Sequence, residues 1–210
     1  MDPEQNRRPL KSRQSRWAPR LAHVFVGAGV TPNQMSSASM AAALLGGGAY
    51  IGAVAAPPLL SRLLLVAAAI CIQLRLLSNL LDGLMAIEEG KKTPTGALFN
   101  EFPDRISDTL FLVGAGYAAA SPELGWAAAL LAVLTAYVRA LGASLGFGQD
   151  YGGPMAKQQR MFVLTVGSLV AVVLPYRPVL LAALAIIAVG SAATVLRRTW
   201  RLAARLRAAP

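Results

Sequence analysis

The sequence predicts an all-α, polytopic integral membrane protein: six transmembrane helices preceded by a short N-terminal interfacial helix. Three observations carry this. The chain is 55% hydrophobic and only 14% charged, against roughly 25% charged in an average soluble domain, and its mean hydropathy is +0.51. The apolar residues fall into six long segments separated by Pro, Gly and charged breakers. The basic residues collect at both chain ends and in alternate connections, fifteen on one side against Arg62 and Arg177 on the other. Such an asymmetry marks the cytoplasmic side. Both termini are therefore expected in the cytoplasm, with the protein in a cell inner or plasma membrane.

The net charge of +10 does not point to nucleic acid, because no basic stripe is interleaved with aromatics. Cys71 is the single cysteine, so no internal disulfide forms, and the single His23 excludes a His-based metal site or triad.

Residues 1–15 are polar and read as a flexible cytoplasmic N-terminus, without the apolar run of a signal peptide. Residues 16–210 read as one membrane-embedded domain. Trp17, Leu21, Val24 and Ala28 share one helical side and Arg16, Arg20 and His23 another. That pattern fits a helix lying in the interface, and equally a packed amphipathic helix with no lipid role. Thr31-Pro32-Asn33 combines a break with capping chemistry, and the first span follows at 34–55. Pro57-Pro58 turns into the second, 59–87. A polar connection leads to the third, 95–120, and Ser121-Pro122-Glu123 to the fourth, 124–146. The longest internal connection, 147–160, is Gly-rich. The fifth span, 161–174, is short for a bilayer unless Lys157 to Arg160 extend it. The sixth runs over 179–196, and a basic tail closes the chain.

Six of the ten acidic residues lie between Asn79 and Asp108. Carboxylates beside hydrocarbon are costly and mark function. Arg75, Asn79 and Asp82 are spaced i, i+4, i+7 and share a face of the second span. Asn100, Glu101, Asp104 and Asp108 form a broad polar stripe on the third. At 1.5 Å rise per residue, Asp82 lies about 9 Å, and Asp104 about 12 Å, from the helix ends that flank the polar connection. Both would sit just inside the cytoplasmic leaflet, a depth suited to chemistry on lipid headgroups. Facing carboxylates can be reconciled by hard divalent ions, which take oxygen ligands and substrate phosphates. They can also be neutralised by a buried ion-pair network with Arg75, Arg105 and Arg139, and both readings stay open. A transporter relay is disfavoured, since the charges cluster near one surface and no inverted repeat is evident.

These residues resemble the signature of the CDP-alcohol phosphotransferase family (CDP-alcohol phosphatidyltransferases), D-x2-D-G-x2-A-R-x8/9-G-x3-D-x3-D. The matching positions are Asn79, Asp82, Gly83, Ala86, Ile87, Gly96, Asn100 and Asp104, with every spacing kept. Two of the four Asp positions are Asn, and Ile87 replaces Arg, so the chain is a divergent member. The resemblance implies six transmembrane helices and a homodimer. It also implies transfer of a phosphatidyl group from a CDP-linked lipid donor such as CDP-diacylglycerol to an alcohol acceptor, with release of CMP, in phospholipid biosynthesis. By position, Asn79, Asp82, Asn100 and Asp104 would bind two divalent ions, Mg²⁺ or Mn²⁺, and Asp104 would also serve as catalytic base. Gly83, Ala86 and Gly96 would admit the CDP moiety. Glu101 and Asp108 are candidates for additional metal or site carboxylates. Arg139, Lys157 and Arg160 are candidates for binding the acceptor. A catalytically silent relative, acting as a scaffold or lipid-binding protein, is the alternative.

Overall fold

Proline, glycine and capping residues set the helix boundaries. The structure, a computed structural model, describes residues 17–88 and 96–208, and its side-chain detail excludes 86–88, 96, 97, 99 and 100. The terminus expected over 1–15 and the polar connection after α3 therefore lie outside the described residues. Seven helices follow in order: α1 (Trp17–Gly27), α2 (Pro32–Ala55), α3 (Pro58–Glu88), α4 (Gly96–Ala118), α5 (Pro122–Ser144), α6 (Lys157–Val173) and α7 (Tyr176–Ala208). No strand occurs among the described residues.

Helix α2 starts with a reciprocal capping box. The Gln34 backbone N–H donates to Thr31 Oγ1 at 3.2 Å, and the Thr31 N–H to Gln34 Oε1 at 2.9 Å. Pro32 occupies the first turn, where a missing N–H costs nothing. Prolines likewise open α3 and α5. Helix α6 takes up the Lys157 to Arg160 extension that the short 161–174 span left open, while α7 differs from expectation. Helix α6 starts at Lys157, so the connection is shortened to 145–156. Helix α7 does not stop near residue 196 but continues through the basic segment to Ala208. Ile187, Ser191, Thr194 and Arg198 fall on one buried stripe that crosses the expected end. The helical period thus outlasts the apolar composition.

Contacts between helices close a ring in the order α2, α4, α5, α7, α6, α3 and back to α2, with α1 against the outside of α3. Helices α2 to α7 alternate in direction in chain order, so the ring neighbours α2 and α4, and α5 and α7, run parallel. The start of α2, the end of α3, the starts of α4 and α6, and the ends of α5 and α7 consequently share one end of the bundle. Helix α1 buries Ala18 and Ala22 against Leu80, Leu81, Leu84 and Met85, while Trp17 and Val24 remain exposed.

Glycines allow the closest crossings. A Cβ on Gly114 would stand 2.7 Å from the Gly47 carbonyl oxygen, and one on Gly116 2.7 Å from Gly125 Cα. Helix α4 is thereby drawn backbone to backbone against α2 on one side and α5 on the other.

Large apolar side chains cover the outside of the ring: Leu45, Leu59, Val173 and Val189 are each more than two-thirds exposed. Four helices, α2, α3 (as Pro58–Met85), α5 and α7, are long and apolar enough to cross a membrane. These features describe an integral membrane protein. The other two ring helices do not qualify on length and composition alone. Helix α4 carries Glu101, Asp104, Arg105 and Asp108, and α6 has 17 residues.

Candidate active site

The end of the bundle shared by the α4 and α6 starts holds a dense set of buried polar groups. On α3, Arg75 is fully buried. Its Nη2 donates to Asp104 Oδ1 at 2.9 Å and to Asp108 Oδ1 at 3.0 Å. One turn on, Asn79 Nδ2 donates to Asp104 Oδ1 at 3.0 Å. From α6, Lys157 Nζ reaches Asp104 Oδ2 at 2.5 Å and Asn79 Oδ1 at 3.1 Å. Arg160, one turn later, donates to Asp108 Oδ2 at 2.9 Å and to Thr135 Oγ1 and the Met155 carbonyl, each at 3.2 Å. The i, i+3 and i, i+4 spacings on α3, α4 and α6 put these side chains on inward faces.

Asp82 is placed differently from Asp104. Its Oδ2 accepts from the Ser36 hydroxyl at 2.9 Å, on the first turns of α2. Its Oδ1 is buried and accepts no hydrogen bond among the described residues. Asp104 and Lys157 both lie within electrostatic reach of it. Asp82 and Asp104, predicted from sequence to meet, are thus brought to the same end of the ring. Gly83 is partly buried beside Asp82. The side chains of Ala86 and Asn100 lie outside the described set, as does the surrounding of Gly96.

Glu101 and Asp108, the candidates for additional metal or site carboxylates, both have arginine partners. Glu101 is half exposed and pairs with Arg139 at 2.6 Å and Arg105 at 3.5 Å. Asp108 is held between Arg75 and Arg160. The ion-pair network read as an alternative therefore exists, enlarged by Lys157 and Arg160. Among the described residues, no three side chains of His, Cys, Asp or Glu converge as a ready metal cage. What does fit a hard cation is the buried Asp82 carboxylate oxygen that accepts no hydrogen bond among the described residues, with the Ser36 hydroxyl on the other oxygen.

Next to this network a small crevice, with room for about one water, lies between α5, the 145–156 connection and the far half of α7. Arg139, Asp150, Arg198 and Arg205 line it. Arg139 Nη1 donates to Gln149 Oε1 at 2.5 Å, and its guanidinium lies 5.4 Å from the Tyr151 ring centroid. Arg198 pins the connection by donating to the Gly152 carbonyl at 2.8 Å and the Thr135 carbonyl at 2.6 Å. Arg160, offered from sequence as an acceptor-binding group, is buried among its three partners, whereas Arg139 borders the crevice. Sequence reading missed Ser36, which no local pattern distinguishes from Ser37 or Ser39. It also missed Arg198, which the i, i+4 step from Thr194 could have revealed.

No family model matches the chain. It is 30% identical over 141 residues to the phosphatidylinositol phosphate synthase of Mycolicibacterium smegmatis (strain ATCC 700084 / mc(2)155), a match spanning 62% of this chain and 62% of that protein. The structure superposes on the crystal structure of Mycobacterium tuberculosis phosphatidylinositol phosphate synthase with CDP-DAG bound (TM-score 0.70, 24% identity, 90% of this chain and 94% of that one). It also superposes on the same enzyme in complex with manganese and citrate (TM-score 0.72, 24% identity, 88% of each chain). The chain thus shares the fold of these synthases over most of its length, and over 141 residues it is similar to one of them in sequence.

Proposed function

We propose that this protein is a CDP-alcohol phosphotransferase. It moves a phosphatidyl group from a CDP-linked lipid such as CDP-diacylglycerol to an alcohol and releases CMP. The observation that carries this reading is the Asp82 carboxylate: buried, with one oxygen accepting no hydrogen bond among the described residues, at the end of a helix ring shared with enzymes of that class. A divalent ion, Mg²⁺ or Mn²⁺, held through Asp82 with Asn79 and Asn100 as neutral oxygen donors, would supply positive charge against the diphosphate of the donor.

The chain's own groups do the rest. The acceptor oxygen attacks the phosphorus that bears the lipid, and the bond from that phosphorus to the CMP oxygen breaks, with CMP leaving as the anion. Asp104 takes the acceptor proton. Its Oδ1 accepts from both Arg75 and Asn79, whereas Oδ2 accepts from Lys157 alone, so Oδ2 keeps a lone pair for the proton while Lys157 stays in place. Asp108, Arg75 and Arg160 hold Asp104 and Asn79 in register. Gly83, Ala86 and Gly96 are the small positions assigned to the nucleotide. Arg139 and Arg205, bordering the crevice, suit an acceptor that itself carries an anionic group; Lys157 and Arg160 would act from the network rather than from the crevice wall.

In this reading α4 and α6 complete six spans, their charges and shortness tolerated because they face the ring interior. Helix α1 lies in the membrane interface, both termini and the site face the cytoplasm, residues 16–210 form one domain, and the protein works as a homodimer. The test is CMP release from CDP-diacylglycerol by purified protein, with a panel of acceptors and with each metal. We expect metal-dependent release that Asp82→Asn reduces by about two orders of magnitude or more, as for loss of a site charge. Undiminished release in Asp82→Asn sinks the assignment. No release with any acceptor leaves a silent relative.

A further inference from the structure

Among the described residues three carboxylates lie inside the ring, Asp82, Asp104 and Asp108, none more than 9% exposed. Three cations of the chain sit among them. Arg75 pairs with Asp104 and Asp108, Lys157 with Asp104, and Arg160 with Asp108. Side chains alone therefore balance the buried charge, and Arg105 at the rim is shared between Glu101 and Asp104. Two dications added to a balanced, water-poor site would place four surplus positive charges there. In a medium of low dielectric constant that is prohibitive without further anions.

The position of Lys157 sharpens the point. Its Nζ is bound by Asp104 Oδ2 and Asn79 Oδ1, two of the side chains whose positions in the signature belong to metal ligands. The ammonium is a compact point charge with oxygen partners, as a metal ion would be. Neutral Asn79 is consistent with that: a monovalent cation facing Asp104 needs no second carboxylate. Of the three aspartates inside the ring, Asp82 is the one that keeps a buried oxygen accepting no hydrogen bond among the described residues, and Ser36 fixes its other oxygen.

We propose that the Lys157 ammonium stands in place of one of two dications, so that the site takes a single divalent ion through Asp82. This inference rests on the phosphotransferase reading for its role, with the donor diphosphate supplying the remaining oxygen ligands. Asn79 and Lys157 then form a matched pair. Giving position 79 a carboxylate and removing the ammonium should open the second place.

The experiment counts Mn²⁺ bound per chain in the purified full-length protein by electron paramagnetic resonance, with Mn²⁺ alone and with Mn²⁺ plus saturating CMP. One ion per native chain is expected, with affinity lowered about tenfold or more in Asp82→Asn. The double variant Asn79→Asp/Lys157→Met should bind two. Two ions on the native chain, none under either condition, or unchanged affinity in Asp82→Asn overturns the proposal; so does a folded double variant that still binds one. The native count needs no substitution, so it decides even where a variant fails to fold. CMP release measured in parallel separates the two readings. One ion without CMP release defeats the phosphotransferase reading alone, and two ions with CMP release defeats the single-ion inference alone.

Discussion

Asp108 is nearly inaccessible, and its two oxygens are divided between two arginines on different helices. A buried ion pair adds little net stability, because desolvation offsets most of the attraction, yet removing one partner strands the others. Asp108→Ala would leave Arg75 and Arg160 both short of their counter-charge. Arg75 already has two buried nitrogens, Nε and Nη1, without partners. We expect a loss of about 3–5 kcal/mol, read as an earlier transition in chemical unfolding of the detergent-solubilised protein. Asp82→Asn should leave that transition close to native, since only one Ser36 contact changes. A large shift there would mean that Asp82 is structural. These two aspartates look alike in the sequence. Helical spacing places both inside, but says nothing of the residues on other helices that claim their oxygens.

At the scale of the element, α4 carries the site and depends on its glycines. Gly114 lies about three turns beyond Asp104 and Gly116 about two beyond Asp108, where backbone of α2 and α5 leaves no room for a Cβ. Gly114→Val should push α4 away from α2 and cost about 1–3 kcal/mol as overpacking, measured by the same unfolding experiment. Gly48, with open space around it, is the matched control, and Gly48→Val should cost less. If the two substitutions cost the same, close crossing is not what positions α4. Element boundaries were legible wherever proline or a capping box marks them, as at Thr31–Gln34. The start of α6 and the end of α7 were obscured because charged residues there belong to helices. Lys157 and Arg160 face inward and pair with aspartates, and Arg198 bonds to backbone carbonyls. Composition alone assigns such residues to a loop or tail.

Across the whole molecule, alternating helix direction places the start of α2 and the end of α7 at the same end as the polar network. In the proposed topology, which rests on the charge asymmetry of the sequence, that end faces the cytoplasm. In a Cys71→Ala background, a cysteine at Arg207 should therefore react with a membrane-impermeant maleimide only after the cell is opened. One at Ser121, at the other end, should react from outside in intact cells. The reverse pattern would invert the topology and place the site on the outer face.

The sequence by itself determined the membrane character, the helical class and the pair Asp82 and Asp104, because these follow from composition and from local periodicity along single helices. Tertiary structure alone decided which charge meets which. Arg75, Asp104, Lys157 and Asp108, Arg160 come from three helices spread over 86 positions. Their pairing is set by the order of helices around the ring and by glycine contacts that fix how closely those helices approach. Both are long-range properties of packing, which no stretch of local sequence encodes.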